Sequence, residues 1–154
     1  MKNKVWNPRK VVIVGAGDVG STFAYTLVQR GIVDEITLLD VNEELVQGQV
    51  LDLAHGQFFF PAIKIYAATK ADYVNAGVIV ITAGTKQRPG ETRLDLLQRN
   101  AAIMENIVDD IVVQDSQAVI VVVSNPVDVL TYVAQKRAKS VSYTHLTLPT
   151  KRIV

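Results

Sequence analysis

The clearest chemical signal in the sequence is a set of three glycines followed by one carboxylate. Gly15, Gly17 and Gly20 have the G-x-G-x-x-G spacing, and Asp40 lies twenty positions after Gly20. In this spacing the first glycine permits a tight turn, the second lets a diphosphate approach the backbone, and the third lets the following helix pack closely against the preceding strand. The motif predicts a dinucleotide-binding turn, and the alternative is a tight strand-to-helix turn that binds nothing.

Asp40 indicates which dinucleotide such a turn would bind. A carboxylate at the end of the second strand accepts hydrogen bonds from both ribose hydroxyls of an adenosine, but it repels a 2′-phosphate. Neither Val41 nor Asn42 supplies a cation that would relieve this repulsion. The residues therefore favour NAD over NADP, with a solvated carboxylate at a strand end as the alternative.

Two further polar segments follow predicted strands. The segment 84–93 is bracketed by Gly84 and Gly90, and a polar loop of this kind is able to hinge over a ligand and exclude water from a reacting group. Composition alone is more typical of an ordinary solvated loop. Asn125 precedes a proline after the fifth predicted strand, where an asparagine starts a turn or offers an amide to a ligand.

Short β-branched runs alternate with helical patterns and predict the elements that would position these residues. Val19, Phe23 and Leu27 recur every four residues with Gly20, Ala24 and Val28 beside them, and together they form the expected stripe of the first helix. Parallel neighbours need crossover connections, so the alternation predicts an α/β, doubly wound parallel sheet covered on both faces. The strand order 3-2-1-4-5 would place a crevice between the carboxyl ends of the first and fourth strands. Strands are predicted at 11–14, 36–39, 63–66, 78–81 and 119–123, and helices at 19–28, 45–53, 97–111 and 127–136.

Composition narrows the class of protein. The 154 residues are 49% hydrophobic and contain no cysteine, and 16 basic residues balance 15 acidic ones. This predicts a single globular domain without a disulfide framework or a metal site, in a reducing, cytoplasmic compartment. A nearly neutral charge predicts no nucleic-acid partner, and the longest apolar run of about six residues is too short for a membrane span, which needs about 20.

Five segments together resemble the cofactor-binding half of L-lactate dehydrogenases, especially the bacterial ones. The segments are GAGDVG, TLLDVN, VLDLAHG, ITAGTKQRPGETRLDLL and VSNPVDVLTYVA, and the likeness extends from Arg9 to about Arg137. The resemblance implies a Rossmann-type sheet, NAD as the cofactor, and hydride transfer between L-lactate and pyruvate. Family members are usually dimers or tetramers, so a homo-oligomer of the full-length parent is expected, with contacts made by a helix such as 45–54.

The resemblance also implies roles for individual residues. Arg93 matches the loop arginine that polarises the substrate ketone, a catalytic role, and it also binds substrate together with Asn125, while Asp128 is a weaker candidate at the rim. The implied cofactor-binding residues are Gly15, Gly17, Val19, Gly20, Asp40, Gly84, Thr85, Ser124 and Asn125.

Gln87 stands at the family's specificity position, where a neutral amide suits the methyl group of pyruvate. Relatives that use malate carry an arginine there to pair a second carboxylate, and Arg88 would take that place if the loop slipped by one residue. A malate or other 2-hydroxy acid dehydrogenase is therefore an alternative, as is a module that binds NAD without catalysis.

The family's proton-relay histidine, its orienting aspartate and its carboxylate-binding arginine lie in a second half that is expected to be absent here. His145 lacks the sequence context of the relay histidine. Residues 1–139 are interpreted as an incomplete NAD-binding domain whose last strand or strands are missing. Residues 140–154 contain no acidic residue and resemble translated adapter sequence, so they are expected to be a non-native tail, and the chain alone is expected to be inactive.

Overall fold

The computed structural model describes residues 6–139, and the expected tail and His145 lie outside these residues. Within these residues, five strands and four α-helices follow one another in the predicted order, with an α-helix after every strand except the third. They are β1 (Lys10–Val14), α1 (Asp18–Arg30), β2 (Glu35–Leu39), α2 (Glu43–His55), β3 (Lys64–Ala67), β4 (Val78–Ile81), α3 (Arg93–Val113), β5 (Val119–Val122) and α4 (Val127–Lys139), with short 3₁₀ helices at Gln57–Phe59 and Lys70–Asn75.

The strands form one parallel sheet in the order β3-β2-β1-β4-β5, which confirms the predicted order. The register brings Val14 of β1 beside Leu39 of β2 and Ile81 of β4, and Ile81 beside Val122 of β5. Four strands therefore end at the same level. The segments that follow them share one edge of the sheet, and the predicted site residues lie in those segments.

Two apolar layers cover the sheet, one on each face. Val12, Ile79 and Ile120 point into the layer beneath α3 and α4, whereas Ile13 and Val80 point into the layer beneath α1 and α2. This alternation is the period-two pattern of strands whose two faces are both packed.

Coverage on both faces does not extend to β5. Val119, Val121 and Val123 are 49%, 41% and 38% exposed, whereas Ile120 between them is buried. Among the described residues β5 is an edge strand, and only the face beneath α4 is packed. The expectation of a sheet buried on both faces is wrong at this strand.

The stripe predicted for α1 is also partly wrong. Gly20, Ala24, Leu27 and Val28 of this stripe are buried as predicted, but Val19 and Phe23 are 57% and 36% exposed. The helix turns its small residues toward the sheet, because Gly20 brings its first turn very close to the backbone beneath it. The larger Val19 consequently lies on the outer side.

A polar cluster closes the amino edge of the sheet, opposite the predicted crevice. Lys10 is fully buried at the start of β1, and its Nζ donates hydrogen bonds to Tyr66 Oη, Asp72 Oδ1 and Asn75 Oδ1, each at 3.0 Å. Glu35 Oε1 lies 3.2 Å from the same Nζ and accepts a further hydrogen bond from the Tyr66 hydroxyl. One buried ammonium thus joins β1, β2, β3 and the segment before β4.

Within residues 6–139, no helix is both long and apolar enough to cross a bilayer.

Candidate functional site

The glycine turn after β1 has the geometry that its spacing predicts. Gly15 has φ +106°, and a side chain there would lie 2.6 Å from the backbone nitrogen of Ala83. A Cβ at Gly20 would come within 1.9 Å of the carbonyl oxygen of Gly15. These two glycines are therefore required by the fold itself, because the turn, the first turn of α1 and the end of β4 leave no room for a side chain.

Gly17 differs from both of them. It has φ −71° as the N-cap residue of α1, a conformation open to any residue, and a Cβ there would meet nothing within 4 Å. The protein does not need a glycine at this position for its own packing. The open space is what a diphosphate requires to approach the backbone.

The N-terminus of α1 also lacks the side-chain cap that its neighbours have. Asn42 accepts a hydrogen bond from the Leu45 amide at the start of α2, and Thr92 forms a reciprocal capping box with Asp95 at the start of α3. The N-cap residue of α1 is Gly17, which has no side chain to accept such a hydrogen bond. Because the first amides of a helix have no partner within the helix, those of α1 are free to bind an anion.

Asp40 lies directly after β2 and is tied to the glycine turn. Its Oδ2 accepts a hydrogen bond from the backbone amide of Ala16 at 2.8 Å, and its Oδ1 accepts one from the amide of Asn42 at 3.1 Å. Each carboxylate oxygen retains a second lone pair. The side chain is thereby held in one orientation and can still accept hydrogen bonds from a diol.

The loop after β4 lies beside the glycine turn. Thr82 donates its hydroxyl to the carbonyl oxygen of Gly15 at 2.9 Å, and Lys86 Nζ lies 3.8 Å from Asp18 Oδ2 at the start of α1. The glycine turn after β1 and the loop after β4 thus lie side by side at the carboxyl edge of the sheet. Both members of the Lys86–Asp18 pair are almost fully exposed, so this pair marks proximity and adds little stability.

The predicted substrate residues of this loop are exposed. Gln87 donates its side-chain amide to the carbonyl oxygen of Glu91 at 2.7 Å, so its side chain folds back over the loop. Arg93 is the first residue of α3. Gly84 and Thr85 form the start of the loop and are exposed.

The end of β5 contributes Ser124 and Asn125 to the same edge. Ser124 is buried, and its hydroxyl donates to the carbonyl oxygen of Ala83 at 2.6 Å. This contact ties β5 to the end of β4. Asn125 and Asp128 are exposed, and Asp128 lies in the first turn of α4.

Asn100 is a site residue that the sequence analysis did not identify. It is 5% exposed within α3, and its Oδ1 accepts hydrogen bonds from the amide and hydroxyl of Thr85 at 2.9 and 3.2 Å. Its Nδ2 lies 3.5 Å from the carbonyl oxygen of Asn125. A polar residue on the inner side of an otherwise apolar helical pattern was the signal that could have found it.

Comparison with known proteins identifies the family to which this arrangement belongs. Residues 9–144 match the family model described as "lactate/malate dehydrogenase, NAD binding domain". The chain belongs to this family. The glycine turn, Asp40 and the segments after β4 and β5 all lie at the carboxyl edge of the sheet in this NAD-binding domain.

Curated and solved members of the lactate/malate dehydrogenase family agree with the match. The L-lactate dehydrogenase of Treponema denticola is 52% identical over 128 residues, which are 83% of this chain and 41% of that protein. The structure of MGS-M5, a lactate dehydrogenase from a Medee basin deep-sea metagenome library, superposes with a TM-score of 0.84 at 43% identity, over 89% of this chain and 43% of that one. The ligand-bound minor L-lactate dehydrogenase of Enterococcus mundtii superposes with a TM-score of 0.83 at 39% identity, over 85% and 42%.

The chain therefore spans about two-fifths of the length of the relatives it matches. The geometry fits the cofactor that the family model names, because open space at Gly17 and uncapped amides of α1 suit a diphosphate, and the anchored carboxylate of Asp40 suits a ribose. Within the part of the chain that the structure describes, no group of three or more His, Cys, Asp or Glu side chains is arranged to hold a metal ion.

Proposed function

We propose that this chain forms the NAD-binding part of an L-lactate dehydrogenase, which interconverts L-lactate and pyruvate. The observation that carries the proposal is the open, uncapped glycine turn beside Asp40. The identity of 52% to the Treponema denticola L-lactate dehydrogenase supports the choice of reaction. The nicotinamide, when bound, supplies the hydride chemistry, and the protein supplies binding and orientation.

The cofactor-binding residues of the proposal fall into two groups. Gly15, Gly17, Val19, Gly20 and Asp40 would hold the diphosphate and the adenosine, and Val19 is exposed beside the glycine turn as that role requires. Gly84, Thr85, Ser124 and Asn125 would position the nicotinamide end. Because the Ser124 hydroxyl already donates to Ala83 O, we assign Ser124 a supporting contribution through the position of Asn125.

The substrate residues of the proposal are exposed near the carboxyl edge of the sheet. Arg93 would place a fixed positive charge beside the ketone oxygen, which becomes negative as the hydride arrives, and this lowers the energy of the transition state. Asn125 would donate a hydrogen bond to the substrate, and Asp128 would contribute at the rim. Gln87 would select the methyl group of pyruvate after it releases the carbonyl oxygen of Glu91.

Arg88 supports the second candidate, a malate or other 2-hydroxy acid dehydrogenase. It is exposed next to Gln87, and a cation at the position of Gln87 would pair a second substrate carboxylate. Leaving such a carboxylate buried without a partner costs several kcal/mol. The lactate proposal therefore requires that Gln87, and not Arg88, face the substrate.

In this proposal, catalysis requires residues that lie outside the segment that the chain shares with its relatives. A loop arginine cannot replace a proton-transferring histidine or a clamp for the substrate carboxylate. We propose that residues 1–139 belong to the NAD-binding domain and that residues 140–154 are not native. Sequencing of the source gene tests this, since an unbroken native reading frame through position 154 would contradict it.

A chimera tests the enzymatic proposal. The matched segment of the Treponema denticola enzyme is replaced by the corresponding residues of this chain, and pyruvate-dependent oxidation of NADH is measured. We expect turnover by the chimera and none by the 154-residue chain. A folded chimera that binds NADH without turning over pyruvate would favour the non-catalytic module, and one that prefers oxaloacetate would favour the malate alternative.

We also propose a cytoplasmic homo-oligomer, a dimer or a tetramer, for the full-length protein. Leu51, Phe58 and Phe59 are 55%, 97% and 85% exposed along and just after α2, and exposed apolar side chains that are close together commonly mark protein contacts. A cysteine-free sequence suits a reducing compartment. Light scattering of the chimera and of its Phe58→Ser variant tests the assembly, since an unchanged mass would remove this surface from the interface.

A further inference from the structure

Two neighbouring residues of α3 hold the loop after β4 at different points. Asn100 binds the start of the loop through Thr85. Arg99 binds the middle of the loop, because its Nη2 donates to the carbonyl oxygen of Lys86 at 3.1 Å and to Glu91 Oε2 at 2.9 Å. The loop is thus attached to the first two turns of the helix that follows it.

Glu91 is the centre of the hydrogen bonds within the loop. Its Oε2 accepts a hydrogen bond from the backbone amide of Arg88 at 2.8 Å, and its own amide donates to the carbonyl oxygen of Arg88 at 3.1 Å. Its carbonyl oxygen accepts the side-chain amide of Gln87 at 2.7 Å. The positions of Gln87 and Arg88, the two candidates for substrate selection, therefore depend on the position of Glu91.

The Arg99–Glu91 pair is shielded from solvent. The side chain of Arg99 is 27% exposed and that of Glu91 is 11% exposed, whereas the partners of the Lys86–Asp18 pair are 97% and 96% exposed. Salt screens a shielded pair much less than an exposed one. Arg99 is therefore the cation that fixes the carboxylate of Glu91.

We propose that Arg99 is a positioning residue that fixes the register of the loop after β4. Through Glu91 it pins the backbone of Arg88, so that a one-residue slip, which would bring Arg88 to the position of Gln87, is disfavoured. The link to substrate choice rests on the function proposed above, whereas the link to loop register rests on the hydrogen bonds alone. The two parts are therefore tested by different measurements.

The first experiment measures the loop in the 154-residue chain. Amide hydrogen exchange is followed residue by residue by NMR in the unmodified chain and in Arg99→Met. We expect exchange at the Arg88 and Glu91 amides to become at least tenfold faster. The Thr85 amide, which Asn100 holds, is the internal control and is expected to change less than twofold.

Three matched variants complete this experiment. Arg137→Met breaks another arginine–carboxylate contact of α3, the one with Asp109, and is expected to leave loop exchange unchanged. Arg99→Lys and Glu91→Gln each keep part of the contact and are expected to give intermediate rates. The register proposal is wrong if the Arg88 and Glu91 amides of Arg99→Met exchange as in the unmodified chain, or if Thr85 accelerates equally.

The second experiment measures selectivity in the chimera described above. Arg99→Met is expected to lower kcat/KM for pyruvate by about tenfold or more relative to oxaloacetate, with the dissociation constant of NADH changed less than twofold. Equal losses for the two substrates would overturn the selectivity part. An inactive unmodified chimera would overturn the proposed function, while the exchange measurement would still decide the register of the loop.

Discussion

The two edges of the sheet differ in whether their polar groups have hydrogen-bond partners within the protein. At the amino edge, the Nζ of Lys10 has four oxygen neighbours within 3.2 Å and is sealed from solvent. At the carboxyl edge, α1 begins without a side-chain cap and Gly17 faces open space. A satisfied polar cluster holds strands together, whereas unsatisfied donors beside an open space are ready for a ligand.

The largest effect is expected from breaking the amino edge. Lys10→Met removes the buried ammonium of this cluster and leaves the carboxylates of Glu35 and Asp72 without it, which should cost about 3–5 kcal/mol of the free energy of unfolding. Urea denaturation followed by circular dichroism measures this. Lys64→Met is the control, because Lys64 is 68% exposed and 3.9 Å from Glu35, and it should cost less than about 1 kcal/mol.

Substitutions at two glycines of the turn should affect the free energy of unfolding and the affinity for NADH differently. Gly20→Ala places a Cβ against the Gly15 carbonyl oxygen and should destabilise the fold by about 1–3 kcal/mol. Gly17→Ala meets nothing within 4 Å, so its free energy of unfolding should fall only by the difference between glycine and alanine as N-cap residues, about 0.5–1 kcal/mol, while its NADH affinity falls. Calorimetry with NADH and urea denaturation compare the two variants. Equal losses of stability would remove the distinction between these glycines.

Asp40 should contribute to the choice of dinucleotide. Asp40→Asn keeps the size of the side chain but removes its charge and one hydrogen-bond acceptor. NADH affinity should fall by about tenfold, or about 1.4 kcal/mol, and the preference for NADH over NADPH should narrow. Titration with both dinucleotides measures this, and an unchanged preference would show that another group reads the ribose.

The smallest expected effect is on pH dependence at the amino edge. Burial raises the pKa of Glu35, but hydrogen bonds from Tyr66 and Lys10 outweigh burial, and the pKa is lowered below its ordinary value. The pKa of Asp72 is also lowered, since hydrogen bonds from Thr69 and Lys10 outweigh burial. A lowered folded-state pKa gives stability that is present above the unfolded pKa and is lost as pH falls through the folded one.

The free energy of unfolding, measured between about pH 3 and pH 7, should therefore decrease as the pH falls below the ordinary pKa range of carboxyl groups. Lys10→Met should flatten this dependence, because it removes the cation that favours both ionised carboxylates. A slope that is the same in both proteins would assign the acid sensitivity to other carboxylates.

The regular part of the fold could be predicted because its signals are local. Each strand is a short β-branched run, and β4 at Val78–Ile81 has the predicted bounds. Crossover handedness then allows few topologies, and the order β3-β2-β1-β4-β5 was among them.

Lys10 and Asn100 could not be predicted, because their partners are distant in sequence. Lys10 bonds to residues 56 to 65 positions away, and in the sequence it is one of several basic residues near the amino end. Asn100 interrupts an apolar stripe, but only the fold shows that it joins the loops after β4 and β5. The exposure of Val19 follows from the close packing that Gly20 permits, since an added Cβ there would lie 1.9 Å from the carbonyl oxygen of Gly15. This tertiary contact is not visible in helical periodicity.

The most direct test is to titrate the isotope-labelled chain with NADH and to record backbone NMR shifts. Saturable changes should occur at Gly15, Gly17, Gly20 and Asp40, with none at Lys10, Tyr66 or Asp72 on the opposite edge. A folded chain whose glycine-turn resonances do not move, or whose shifts cluster at the amino edge, would contradict the division between a structural and a ligand-binding edge.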